Sequence, residues 1–445
     1  MITRRSRATW QGAVGLAAVA LLVTACSNGS GGTAATGASA ATSGVTINVA
    51  LPADPPPQAA LDQFTKDTGI KVTWSNSDWD SLQTKISAAA TAKTYFADVT
   101  NVDWSRAGQL GKLGWFLPLE TYLDANALKS DMPQLGSFTL DGHVIGVPYD
   151  SSYMVTTVNT DLFAKAGITT MPTTMDDYTN DLKQIKDKGV VQYPLNIPFA
   201  AAEGLSTYWY ETTQAFGGTI LDAKGKPQFT DPGSAGYKAA QWMVDAVKNG
   251  LVPPGNINVN DSQGEQTLMA QGQAASTLSD YSGLINSLYN VKDSSTVSGQ
   301  IQYLPTPGVT GPASNLSNPD GMGIPKQAKY PQAAAKFIDW FNSAATQEDF
   351  AGLNGPDKIW GSSFIPSRLS VVEKLAQAGS LADGAHLAAM LKTAKPVFPE
   401  GAPTWYPTFS NAVYTNLHAA ATGSMSVADA IKAIGDVATQ QAGNS

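Results

Sequence analysis

Between residues 45 and 103 the chain alternates between two periodicities, and this alternation limits the folds open to it. Val45-Thr46-Ile47-Asn48-Val49-Ala50-Leu51 places apolar side chains at every second position, which reads as a strand. Residues 59–68 carry Ala60, Leu61 and Phe64 on one helical face and end at Gly69. "IKVTW" at 70–74 reads as a second strand, residues 80–90 as a helix, and "ADVTNV" from residue 97 as a third strand. Strand, helix, strand, helix, strand is the pattern of an α/β domain with a largely parallel sheet. Later helices follow the same style. Tyr178, Leu182 and Ile185 line one, stopped by Gly189; residues 237–248 form another; residues 332–345 carry a stripe through Phe337, Ile338 and Phe341. Trp242 and Trp340 on these helices read as core anchors, and Trp115 as a structural residue.

The chain ahead of residue 45 has a different character. Arg4, Arg5 and Arg7 precede an apolar run of 11 residues, Ala13 to Val23, half the roughly 20 residues that a membrane-spanning helix needs. Val23-Thr24-Ala25-Cys26 follows and resembles the bacterial lipobox, in which the leader is cut before a cysteine that then carries lipid. Cys26 is the one cysteine among 445 residues, so no intramolecular disulfide is possible. Ser27 to Ser43 holds only Ser, Asn, Gly, Thr and Ala, a composition that cannot bury a core. As a flexible tether it spans about 23 Å on average. The expectation is a signal peptide over 1–25, a lipidated Cys26 and linker over 26–44, and a domain held outside the cytoplasm at the cell membrane. Stable anchoring takes more than one acyl chain.

Loss of residues 1–25 removes three arginines and no acid, taking the formal charge from −8 to −11. That argues against nucleic acid or anionic lipid as the main partner. About 400 residues remain, enough for two cores.

Four stretches in order then resemble the family 1 extracellular solute-binding proteins of ABC transporters. They are "GVPYDSSYMVTTVNTDLFAKAGI" (146–168), "TLMAQGQAASTLSDYSGL" (267–284), "GMGIPKQAKYPQAAAKFIDWFNSAATQEDFA" (321–351) and "FIPSR" (364–368). The resemblance implies an α/β fold of two lobes, the type II periplasmic-binding-protein arrangement, with three crossovers as hinge and ligand in the cleft between. Carried onto this chain it places 45–148 plus 320–352 in lobe one, and 152–317 plus 366–440 in lobe two. The crossovers become 149–151, 318–319 and 353–365. It further implies a monomer that delivers its ligand to ABC permease subunits and is not an enzyme.

Sugar recognition needs flat aromatic faces for the C–H side of the rings and carboxylates for the hydroxyls. Loops after the strands supply both. "SNSDWD" sets Trp79 between Asp78 and Asp80; "NVDW" carries Asp103 and Trp104; "PYDSSY" carries Tyr149 and Asp150. "AAAEGLSTYWYE" supplies Glu203, Trp209 and Tyr210, and "SDY" supplies Asp280 and Tyr281. Met322 lies between two glycines that allow close backbone approach, and Trp360 falls in the third crossover. Arg368 is expected to brace the C-terminal part. These residues point to a neutral carbohydrate, a di- or oligosaccharide, with no cofactor. His143, His386 and His418 are scattered without ligand spacing, so no metal is expected. Polyamine binding is the alternative, since acids and aromatics would serve a cation as well; a cluster of Arg or Lys, as an anion would require, is missing from these loops. A lipid-anchored glycoside hydrolase would show the same residue types, but no H-E-x-x-H, G-x-S-x-G or P-loop pattern occurs.

Overall fold

A computed structural model describes residues 41–261, 263–351, 365–398 and 401–444. Cys26, the leader and most of the third expected crossover lie outside the described residues.

The first lobe begins as the sequence suggests, with β1 (Thr46–Leu51), α1 (Gln58–Thr68), β2 (Lys71–Asn76), α2 (Trp79–Ala92), β3 (Val99–Asp103) and α3 (Ala107–Lys112). Gly69 ends α1 at φ 72°, a backbone region that favours glycine. The Asp78 side chain caps α2 by accepting from Ser81 N at 3.0 Å. Short elements follow: α4 (Ala125–Lys129), β4 (Thr139–Leu140), β5 (His143–Val144) and β6 (Val147–Pro148).

The second lobe contains β7 (Met154–Asn159), α5 (Thr160–Lys165), α6 (Met175–Asp187), α7 (Glu203–Ala215), α8 (Ala235–Lys248), α9 (Gln263–Ala270), β8 (Ser276–Tyr281) and β9 (Ile301–Leu304). Asn159 caps α5 through bonds from the backbone N of Asp161 and Leu162, both 3.1 Å. β10 (Leu316–Ser317) leads back to the first lobe through β11 (Asp320–Gly323), α10 (Pro331–Phe341) and α11 (Ala344–Phe350). The remainder, α12 (Leu369–Gln377), α13 (Gly384–Thr393), β12 (Lys395–Pro396), α14 (Tyr406–Ala421) and α15 (Val427–Gly443), completes the second.

The first sheet has the order β2-β1-β3-β11-β6. β1 runs parallel to β2 and β3, but β11 is antiparallel to both β3 and β6. The expected largely parallel sheet is therefore mixed, because β11 arrives from the second lobe and enters from the opposite end. The second sheet, β8-β7-β9, is antiparallel throughout. One helix expected over 332–345 is two: Ser343 breaks it and caps α11, its hydroxyl accepting from Thr346 N at 3.1 Å.

Ile47, Val49, Leu51, Phe64, Met322, Phe337 and Phe341 form the core of the first lobe. A second core holds Tyr178, Tyr208, Trp209, Phe229, Met243 and Phe409. Within it Glu211 of α7 is fully buried, one carboxylate oxygen accepting from Leu316 N at 2.8 Å and the other from the Thr306 hydroxyl. Burial raises this carboxyl to about 8.

The described chain passages between the lobes run side by side. Asp150 bridges Pro366, Tyr153 bridges Ser317, and Ser151 N donates to Ile365 O at 2.7 Å. Gln134 Nε2 ties the first two passages together through Ser152 O at 2.8 Å and Ser317 Oγ at 2.7 Å. Arg368 braces this region, but toward the first lobe: it donates to Asp131 at 3.0 Å and to Asn342 O at 2.6 Å. Asp131 in turn accepts from Ser370 N at 2.9 Å at the start of α12.

Candidate functional site between the lobes

Three carboxyl groups meet where β3 ends. Asp103 stands opposite Asp320 in the antiparallel β3–β11 ladder. Asp103 accepts from Trp79 Nε1 at 3.1 Å, from Ser105 N at 2.7 Å and from the Ser105 hydroxyl. Asp320 accepts from Asn101 Nδ2 at 2.8 Å, and its own backbone N donates to Asp150 Oδ1 at 3.2 Å. Ser152 N donates to the same oxygen at 3.4 Å. Asn101 also donates toward the Tyr149 hydroxyl at 3.5 Å and accepts from Gln83 Nε2 at 2.7 Å. Asp103 is 5% exposed and Asp150 2%, so water does not solvate their charge. Burial raises all three carboxyls, Asp150 to about 7, and for Asp320 the nearby Asp103 and Asp150 charges add to it. Desolvation and the neighbouring acids thus both favour the neutral form of Asp320.

The second lobe presents the facing wall. Glu203 opens α7 and accepts from the Tyr406 hydroxyl and from Ser410 Oγ at 2.8 Å. Burial raises its carboxyl, while Arg106 opposes the rise. The Arg106 guanidinium reaches across the seam to within 4.0 Å of Glu203 and lies 5.5 Å from the Trp79 ring centre and 5.8 Å from that of Tyr406. Buried Arg106 Nη1 has no protein acceptor among the described residues. Trp104, 8% exposed, lies edge-on to Tyr406 at 5.5 Å and tilted against Phe398 at 6.3 Å.

Of the residues singled out from sequence, Trp79, Asp103, Trp104, Tyr149, Asp150 and Glu203 come together here. Tyr210 forms a layer behind them, its ring 6.2 Å from Phe398 and 6.4 Å from Tyr406. Tyr281 is partly buried and donates to Asp261 at 2.6 Å. Asp280 instead serves its own lobe, accepting from the Tyr289 hydroxyl at 2.7 Å, and burial raises it to about 6. The Met322 side chain packs in the core of the first lobe. Trp209 does not reach the cleft: it is fully buried 5.0 Å from Phe229, and its indole N–H donates to Gly236 O at 2.9 Å. Trp360 lies outside the described residues.

Sequence reasoning passed over Arg106, Asp320, Asn101 and Tyr406. Arg106 was in view, three residues after Asp103. Asp320 becomes visible only through the ladder that sets it opposite Asp103.

The arrangement offers ring faces, hydrogen-bond acceptors shared between two lobes, and one guanidinium with unused donors. Among the described residues no three His, Cys, Asp or Glu side chains converge as metal ligands. Two sheet-based lobes shut on such a seam define a clamp-type binding protein.

The comparisons with known proteins agree. The model of the bacterial extracellular solute-binding protein family matches residues 51–348, more than half of the chain, and the chain belongs to that family. Proteins of Brucella abortus and Brucella suis, named only as binding proteins, are 27% identical over 210 residues, 47% of this chain and 50% of theirs. The chain spans about half the length of these curated relatives. Solved structures extend the likeness in fold. The ribitol complex of an ABC transporter solute-binding protein from Agrobacterium radiobacter K84 superposes with TM-score 0.78 at 22% identity, covering 90% of this chain and 99% of that one. Maltose-bound MalE3 of T. maritima gives 0.75 at 21%, covering 89% and 100%. The D-mannitol complex of the Agrobacterium vitis S4 protein gives 0.73 at 23%, covering 89% and 98%. No helix among the described residues is long and apolar enough to cross a membrane.

Proposed function

We propose that this protein is the capture component of an ABC importer, held outside the cytoplasm by a lipid on Cys26, and that it closes its lobes on a neutral di- or oligosaccharide for delivery to the permease. The observation that carries this reading is the division of one site between two lobes, with Trp79, Asp103 and Arg106 on one side and Glu203 and Tyr406 on the other. Rings supply apolar faces, and the carboxyl groups accept from neighbouring hydroxyls. The maltose, ribitol and mannitol complexes of proteins with this fold support a polyhydroxylated ligand.

The excess of carboxyls over the single arginine at the seam supports a second reading, a polyamine. Thermal-shift screening decides between them, because a ligand that binds only the folded state raises its melting temperature. Stabilisation by maltose, maltotriose or a polyol, little changed by salt, is the expected result. Stabilisation by spermidine alone, abolished by salt, would reject the sugar reading.

A further inference from the structure

At the α3 end of the seam three contacts carry the first lobe onto the second, and all start within five consecutive residues. Trp104 meets Phe398 and Tyr406; Arg106 meets Glu203 and Tyr406; Gly108 meets Ala402. Trp104 and Arg106 have side-chain torsions with which to adjust. Gly108 has none. A Cβ built on Gly108 would lie 1.8 Å from the carbonyl oxygen of Ala402 and 3.0 Å from its carbonyl carbon, where unstrained contact begins near 3.4 Å. The obstacle is main chain, which cannot turn aside as a side-chain tip would.

Neither backbone is placed to yield. Ala402 follows Gly401, whose N donates to Phe398 O at 2.9 Å, and precedes the turn from Tyr406 N to Pro403 O at 2.9 Å that leads into α14. On the other side α3 is pinned by Leu110 N to Arg106 O at 2.9 Å and Trp115 N to Leu110 O at 3.0 Å. Its Gly111 is also packed, a Cβ there meeting the Leu140 side chain at 2.3 Å. The soft degree of freedom that remains is the angle between the lobes.

We propose that Gly108 sets the depth of lobe closure. Its missing side chain lets the seam shut far enough for Arg106 to reach Glu203, and any side chain at 108 props the lobes apart before that point. A methyl group forces a displacement of about 1.5 Å at this contact, judged against ordinary van der Waals distance. The inference rests on the reading that the lobes move about the adjacent chain passages. Gly108 touches no group proposed to bind ligand, so it is a positioning residue.

The test needs no ligand. Exposed Lys112 and Lys224 line one cavity of about 530 Å³ from opposite lobes. In the mature chain with Cys26→Ser, the pair Lys112→Cys and Lys224→Cys provides the only thiols, and a short bismaleimide traps the closed form each time it is visited. Adding Gly108→Ala should slow cross-linking at least about tenfold, the effect of roughly 1.4 kcal/mol on the closed population, and Gly108→Val more. Gly136→Ala, where a Cβ meets nothing within 4 Å, should leave the rate unchanged. An equal rate in Gly108→Ala would overturn the proposal, as would absence of cross-linking in the parent pair. Loss of the folded melting transition in Gly108→Ala would overturn it too, because a closure stop leaves each lobe intact. A slowed rate in a protein that no carbohydrate stabilises would keep this inference and reject sugar capture.

Discussion

Arg106 of the first lobe stands 4.0 Å from Glu203 of the second, its guanidinium flanked by the rings of Trp79 and Tyr406. One side chain therefore joins the lobes by charge and by ring contact. Arg106→Gln should raise the ligand dissociation rate about tenfold while changing association little, since most effects of contacts across such a seam fall on dissociation. Arg106→Lys should restore only part of this, because an ammonium lacks the planar face that meets both rings. Stopped-flow tryptophan fluorescence measures both rates. Full recovery by lysine would show that charge alone matters.

Two tryptophans that look alike in sequence should behave differently. Trp79 is half-buried at the seam, and Trp79→Ala should cost about 2 kcal/mol of binding, some 30-fold in affinity, with little loss of stability. Trp209 is sealed in the core against Phe229, and Trp209→Ala should cost about 3–5 kcal/mol of folding stability. Calorimetric titration together with thermal melts separates the two. A stable Trp209→Ala protein that binds weakly would place Trp209 in the site after all.

Glu211 gives the fold a pH dependence of known sign. Its carboxyl titrates near 4.3 in an unfolded chain, and burial moves it to about 8 in the folded one. Between those values the folded protein holds a proton that the unfolded chain has released. Stability from this group is full below about pH 4.3 and is lost as pH rises toward 8. Glu211→Gln stays neutral and can still serve Leu316 N and Thr306. The melting temperature of the natural protein, relative to Glu211→Gln, should fall by several degrees from pH 5 to pH 8. A difference that stays constant with pH would show that Glu211 is ionised in the core.

Cys26→Ser should release a folded protein from the membrane, since a lipid on Cys26 is the proposed attachment. Fractionation after a high-salt wash reads the outcome, and retention equal to the unaltered protein would exclude lipid as the attachment.

Element types were readable along most of the chain because local signals carried them: alternation in β1, the glycine stops at 69 and 189, and the apolar stripe through Tyr178, Leu182 and Ile185. What escaped depended on distant pairing. The sheet turned out mixed because β11 enters from the other lobe, and nothing within "DGMG" states its direction. The same applies to the site. Trp79, Asp103, Trp104 and Glu203 sit at element ends, where sequence position suggests a shared rim. Trp209 belongs to a helix that is buried nearly all round, Gly204 to Thr213 without interruption, and such a helix gives no periodicity by which to tell its cleft face from its core face. Asp320 had no local mark at all; only its register with Asp103 gave it a role.

The position of β11 bears on how the protein is made. This strand lies between β3 and β6 in the first sheet, yet 219 residues separate the bonded Asn101 and Asp320. As the chain grows from its N-terminus, the first 150 residues hold four strands of that sheet with a gap where the fourth neighbour belongs. β3 and β6 then present unpaired backbone edges until roughly another 170 residues have been synthesised. Such long-range pairing slows folding and leaves edges open to wrong partners. That delay leaves the first lobe unfinished until about three quarters of the chain has been made.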